Sequence, residues 1–180
     1  MSNDHRLDLI SSRIRAIPDF PKPGILFRDI TPLLGHGPTF RMVTDLLVER
    51  VKTLDVQLVV GIESRGFIFG AALAERLGLG LAPVRKPGKL PYKTARETYS
   101  LEYGTDALEM HEDAVAGQRC LIVDDLLATG GTAAATARLV ERQGGKLVGF
   151  AFVIELAFLG GRQKLGPASV ETLVQYHLPA

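Results

Sequence analysis

Residues 121–132, Leu-Ile-Val-Asp-Asp-Leu-Leu-Ala-Thr-Gly-Gly-Thr, constrain this chain more than any other stretch. Residues 121–123 are an apolar run of the kind that forms a buried strand. The run meets two carboxylates, Asp124 and Asp125, then a loop of small residues, Ala128, Thr129, Gly130, Gly131 and Thr132. A helix-forming segment over residues 133–143 follows. Main-chain NH groups of such a loop, at the start of a helix, suit a phosphate. Two adjacent carboxylates suit neighbouring hydroxyls, because each can accept more than one hydrogen bond. A sugar phosphate satisfies both halves. The alternative is an apolar strand that turns through a glycine pair into a helix, without a ligand.

Alternation of short apolar segments with amphipathic ones sets the fold class. Strands are predicted at 58–62, 81–84, 121–123, 148–154 and 173–176, and helices at 7–17, 39–54, 67–77 and 133–143. In the 39–54 segment Val43, Leu46, Leu47, Val51 and Leu54 repeat at helical spacing, with Pro38 at the start. Two strands, 98–103 and 106–110, are expected to turn at Gly104. This pattern predicts an α/β fold with a mostly parallel central sheet flanked by helices. A chain of 180 residues fits one domain. Its proline-broken N-terminal segment, about residues 1–35, reads as a small hood over a core formed by residues 36–180.

In sheets of this kind, ligands sit beyond the carboxyl ends of the strands. Three loops fall there: 63–66, 85–97 and 124–132. The first carries Ser64 and Arg65 in a glycine-flanked turn, where a planar guanidinium and main-chain donors suit a diphosphate; Arg65 as a plain surface arginine is the alternative. The second packs five basic residues into the twelve positions 85–96. Such a run is either a solvated loop or a lid that closes on a polyanion and excludes water.

The order and wording of these motifs resemble the type I phosphoribosyltransferases, in their adenine-using branch. Phe27-Arg-Asp29, Glu63-Ser-Arg-Gly66, Tyr99-Ser-Leu-Glu-Tyr103 and residues 124–132 carry the resemblance, which spans about residues 17–176. It implies that Asp124 and Asp125 hold the ribose of phosphoribosyl pyrophosphate, and that Ala128, Thr129, Gly130, Gly131 and Thr132 hold its 5′-phosphate. Ser64 and Arg65 match the diphosphate loop, joined by Arg85, Lys86 and Lys89 from the basic stretch. Leu26, Phe27 and Arg28 match the base-contacting positions, Phe27 by stacking and the others through backbone groups. Glu102 matches a glutamate that faces the reacting base, with Tyr103 closing beside it; a carboxyl group there could exchange a proton with the imidazole ring. Residues 97–104 also fit an ordinary half-buried strand, and residues 25–27 an ordinary piece of core. Glu63 stands where many relatives carry aspartate, which keeps the charge.

The resemblance further implies transfer of a phosphoribosyl group to adenine, Mg²⁺ carried by substrate diphosphate and ribose oxygens rather than by a protein metal site, and a homodimer. Other readings are a related enzyme for a 6-oxopurine or pyrimidine, a regulatory protein that binds the same ligand as a signal, and a nucleotide-binding domain without chemistry. The formal charge of +1 disfavours nucleic acid or an anionic membrane as a partner. One cysteine, Cys120, excludes an intrachain disulfide and fits a reducing compartment. A polar N-terminus without a signal-like apolar run leads to a cytoplasmic expectation. The four histidines, His5, His36, His111 and His177, are scattered and read as structural or exposed.

Overall fold

The computed structural model describes residues 5–100 and 104–178. At its centre lies a five-stranded sheet, every neighbouring pair parallel. The strands are β3 (Leu58–Ile62), β4 (Gly80–Val84), β7 (Arg119–Leu127), β8 (Lys146–Leu156) and β9 (Ser169–Tyr176), in the order β4-β3-β7-β8-β9. Strand residues alternate between faces, and each face is covered. Val59, Leu121, Val123, Ala151 and Val153 pack toward α1 (His5–Ser12), α3 (Gly37–Val51) and α4 (Gly66–Leu77). Val60, Ile62, Ile122, Phe150 and Phe152 pack toward α5 (Gly131–Arg142) and an antiparallel hairpin of β5 (Thr94–Ser100) and β6 (Thr105–His111). A second small sheet pairs β1 (Arg15–Ile17) with β2 (Phe27–Asp29), ahead of the one-turn α2 (Thr31–Leu34).

Local chemistry explains most helix ends. His36 Nδ1 accepts from the Thr39 N–H at the start of α3, and Pro38 sits in its first turn. Val43, Leu46, Leu47 and Val51 are buried as their spacing requires, whereas Leu54 lies past the helix end. Gly78 closes α4 at φ 66°, while the next N–H, of Leu79, reaches back to the Ala74 carbonyl.

Several expected boundaries move. The first helix stops at Ser12 rather than residue 17, because Arg15–Ile17 pairs with Phe27–Asp29 and Arg15 forms an ion pair with Asp29 at 2.9 Å. The basic loop ends earlier than residue 97, since β5 starts at Thr94 and pairs with residues up to His111. β7 does not end at the acidic pair: Asp124 opposes Phe152, and the ladder runs on to Leu127 opposite Glu155. Helix α5 starts at Gly131, inside the stretch read as loop. Among the described residues, no helix is long and apolar enough to cross a membrane.

Candidate active site

The strand order creates the crevice. From β3 the chain crosses to β4 on one side, and β7 lies on the other, so the loops after β3 and β7 diverge from adjacent strand ends. Arg65 comes from the turn after β3, and Asp125 from within β7 near its end. Arg65 Nε donates to Asp125 Oδ2 at 2.6 Å, with the Asp125 side chain 7% exposed and that of Arg65 43% exposed. The same guanidinium lies 5.6 Å from the centre of the Phe27 ring. Three segments far apart in sequence therefore meet at one arginine.

Asp124 is half-buried beside Asp125. Its Oδ1 accepts from the Asp125 N–H at 2.9 Å. Burial, together with the neighbouring Asp125 charge, holds its carboxyl well above the ordinary aspartate range. Gly66 faces it with no room to spare: a Cβ there would stand 2.7 Å from Asp124 Oδ1 and 2.9 Å from the Val123 carbonyl oxygen. The Glu63–Ser64 peptide beside it is cis. Ser64 and Arg65 are both exposed at the mouth of this turn.

Beyond Leu127 the chain wraps a cavity of about 80 Å³ bounded by Asp124, Ala128, Thr129, Gly130, Gly131 and Thr132. Gly130 adopts φ 77° and precedes α5 without a side-chain cap, which leaves first-turn N–H groups for an anion. Thr132 Oγ1 lies 3.2 Å from the Tyr99 hydroxyl, which in turn donates to Asp106 at 3.2 Å. Gly161 backs the loop from outside: a Cβ on it would be 2.1 Å from the Ala128 carbonyl oxygen. Tyr99, Asp106 and Gly161 were not singled out as site residues in the sequence. Gly160-Gly161 is a glycine pair in the sequence, but no local pattern marks its contact with Ala128 and Gly130.

The basic stretch is anchored at its base. Arg85 donates to both Glu63 oxygens, at 3.2 and 3.0 Å, and to the Lys89 carbonyl at 3.0 Å. The Lys86 N–H also bonds Glu63, at 2.9 Å, while its ammonium pairs with Asp106. The Arg85 bonds hold the Glu63 carboxyl below its usual range, and Lys86 does the same for Asp106. Lys89 is exposed. Two of the three basic side chains assigned to a diphosphate thus rest on carboxylates.

In the small N-terminal sheet, Leu26, Phe27 and Arg28 are all half-buried. Phe27 meets Phe20 edge-on at 5.1 Å. The Arg28 guanidinium stacks on Tyr176 at 3.7 Å, which ties the hood to β9. Glu102 and Tyr103 lie outside the described residues, between β5 and β6. Burial pushes the Cys120 thiol up to about 11, and its Sγ–H donates to the Gln118 carbonyl, so it is a core group and no nucleophile. His36 caps a helix and His111 packs edge-on against Tyr92. Among the described residues, no three His, Cys, Asp or Glu side chains converge as a metal site.

A crevice at the carboxyl end of a parallel sheet, with an acidic pair and an uncapped helix start, defines the class. Residues 31–168 match the model of the phosphoribosyl transferase domain. At the level of whole chains, this protein is 57% identical over 171 residues to adenine phosphoribosyltransferase of Anaeromyxobacter dehalogenans (strain 2CP-1), covering 94% of this chain and 99% of the relative. It is 60% identical over 168 residues to the enzyme of that name from Acaryochloris marina, covering 93% and 99%. The crystal structure of adenine phosphoribosyltransferase from Rhodothermus marinus superposes with a TM-score of 0.91 at 54% identity, covering 97% of this chain and all of that one. The Saccharomyces cerevisiae structure gives 0.88 at 42% identity, covering 94% and 98%. The chain belongs to the adenine phosphoribosyltransferase family.

Proposed function

We propose that the crevice between β3 and β7 is where this protein transfers the 5-phosphoribosyl group from phosphoribosyl pyrophosphate to adenine, releasing AMP and diphosphate in purine salvage. The observation that carries the placement is the Arg65–Asp125 contact at 2.6 Å, with Phe27 beside it. It brings a diphosphate-type cation, a ribose-type carboxylate and a base-type ring within one ligand's length. The Saccharomyces cerevisiae relative was solved in complex with both adenine and an imino-altritol bisphosphate, which supports a base and a phosphorylated sugar as the two ligands.

The mechanism follows from charge. Departure of diphosphate leaves positive character at the anomeric carbon, and a base nitrogen attacks it. Asp124 and Asp125 accept from the ribose hydroxyls and hold the ring. The amides of residues 128–132 hold the 5′-phosphate, fixing the other end, so that the anomeric carbon faces the base. Arg65, with Ser64 at its side, receives charge that builds on the leaving group. Arg85, Lys86 and Lys89 add to it once the diphosphate draws them from Glu63 and Asp106. Phe27 stacks on adenine, and backbone groups of Leu26 and Arg28 read its edge. Glu102 exchanges a proton with the imidazole ring, and Tyr103 closes beside it. Mg²⁺ arriving with the substrate would neutralise part of the diphosphate charge, and Asp124 and Asp125 are the carboxylates whose oxygens would face it. A homodimer, by family likeness, and a cytoplasmic setting, which suits the single Cys120, complete the reading.

Purified protein mixed with adenine, phosphoribosyl pyrophosphate and Mg²⁺ is expected to form AMP and diphosphate; no AMP would overturn the proposal. Asp124→Asn and Asp125→Asn are each expected to cost about 1–3 kcal/mol in kcat/KM for phosphoribosyl pyrophosphate. Wild-type kinetics from the double variant would remove the pair from the site. Glu102→Ala is expected to lower kcat more than it weakens phosphoribosyl pyrophosphate binding.

A further inference from the structure

We infer that an ion pair behind the phosphate loop, between buried Glu155 and half-exposed Arg162, positions that loop for the 5′-phosphate. The inference rests on the reading of residues 128–132 as the phosphate subsite.

Glu155 is buried near the end of β8, directly opposite Leu127, the last β7 residue before the loop. Four donors converge on its carboxylate. Arg162 gives Nε at 3.1 Å and Nη2 at 2.6 Å, the Thr172 hydroxyl lies at 3.0 Å, and Gln175 Nε2 at 2.9 Å. Arg162 Nη1 donates to the Val170 carbonyl at 2.8 Å. Arg162 is therefore held at the ends of β8 and β9 in one orientation, through a fork of donors that lysine cannot reproduce.

The next residue upstream is Gly161, and its backbone lies against the phosphate loop. A Cβ on Gly161 would stand 2.1 Å from the Ala128 carbonyl oxygen and 2.9 Å from the Gly130 nitrogen. A Cβ on Gly130 would stand 2.3 Å from the Gly161 carbonyl oxygen. Backbone meets backbone here, with no side chain between to absorb a shift. Where Arg162 is pinned, Gly161 is pinned. Where Gly161 is pinned, the Ala128 carbonyl and the Gly130 amide have one position. An ion pair on a buried carboxylate adds little stability over well-packed apolar residues, but its donors and acceptors define a single geometry. None of these side chains lines the cavity between Asp124 and Thr132, so the pair acts through the loop and not on the ligand.

The test is steady-state kinetics on Glu155→Gln, with Thr132→Val as a variant within the loop itself. Glu155→Gln is expected to raise the KM for phosphoribosyl pyrophosphate tenfold or more, and to leave kcat and the KM for adenine within twofold. Gly161→Ala, which leaves the ion pair intact and displaces the loop, is expected to give the same split. Should Glu155→Gln fail to fold by circular dichroism, Arg162→Lys is read by the same criterion. A folded Glu155→Gln enzyme with an unchanged KM for phosphoribosyl pyrophosphate, or with both KM values raised alike, overturns the inference. If Thr132→Val raises that KM and Glu155→Gln does not, the brace fails and the subsite stands. If neither raises it, the subsite reading fails and takes the inference with it.

Discussion

Gly66 shows how much of the site depends on an atom that is missing. It opens α4 under the Asp124 carboxylate, and a Cβ there would stand 2.7 Å from Asp124 Oδ1, with the Val123 carbonyl and the Asp124 Cα also too close. Backbone cannot give way as a flexible side chain does, so Gly66→Ala forces β3's turn away from β7 and pulls Arg65 from Asp125. We expect a cost of about 1–3 kcal/mol in stability from overpacking, read by urea unfolding. We also expect at least a tenfold fall in kcat/KM. A variant with wild-type stability would show that the turn can relax. Asp124, Asp125, Ser64 and Arg65 were legible in the chain because each belongs to a short motif whose chemistry is local. The partners of Arg85 and Lys86 were not: Glu63 is 22 residues from Arg85, Asp106 is 20 from Lys86, and no local pattern links them.

At the scale of elements, the β5–β6 hairpin is clasped to α5 by one carboxylate. Glu97 accepts from Arg138 at 2.7 Å and from Arg142 at 2.5 Å, and Arg142 also donates to the Arg96 carbonyl. The Arg138 bond leads in holding the Glu97 carboxyl below its usual range. Both arginines are half exposed, so solvent screens the pair. Glu97→Gln is expected to cost about 0.5–1.5 kcal/mol. Faster amide exchange in β5 than in β8 would locate the loss at the hairpin; uniform change would refute the clasp. Helix α4 and strand β3 were predictable to within a residue, since their apolar spacing and Gly78 stop are local. The start of β5 and the persistence of β7 through Asp124 were not, because both are set by ladders to distant strands.

At the scale of the whole molecule, five carboxylates among the described residues lie below their ordinary range and one above it. Bonds to Thr31, Arg85, Arg138 and Lys86 lead for Asp29, Glu63, Glu97 and Asp106. For Glu155, burial pushes up but is outweighed by Arg162, Thr172 and Gln175. A depressed group contributes stability that is present above its unfolded value and lost as pH falls through its folded value. Asp124 has the opposite sign: its contribution is present at low pH and lost as pH rises through its raised folded value. The five titrate at and below the ordinary carboxylate range, about 4, and Asp124 above it, so the urea midpoint is expected to rise as pH falls from neutral toward that range and then to fall steeply. A midpoint that went on rising below that range would contradict the assigned pairings.

The chain alone determined the class of fold and the motifs of the candidate site. Short apolar runs, helix spacing and the strand–acid–glycine motif are properties of neighbours in sequence, and those survive any packing. Tertiary structure decided where the motifs meet and what holds them there. The meeting of Phe27, Arg65 and Asp125, the seating of Lys86 on Asp106, and the pressing of Gly161 onto the loop of residues 128–132 are all contacts between segments tens of residues apart. Such contacts depend on strand order and on backbone approach within a few ångströms, and neither is encoded in a local pattern.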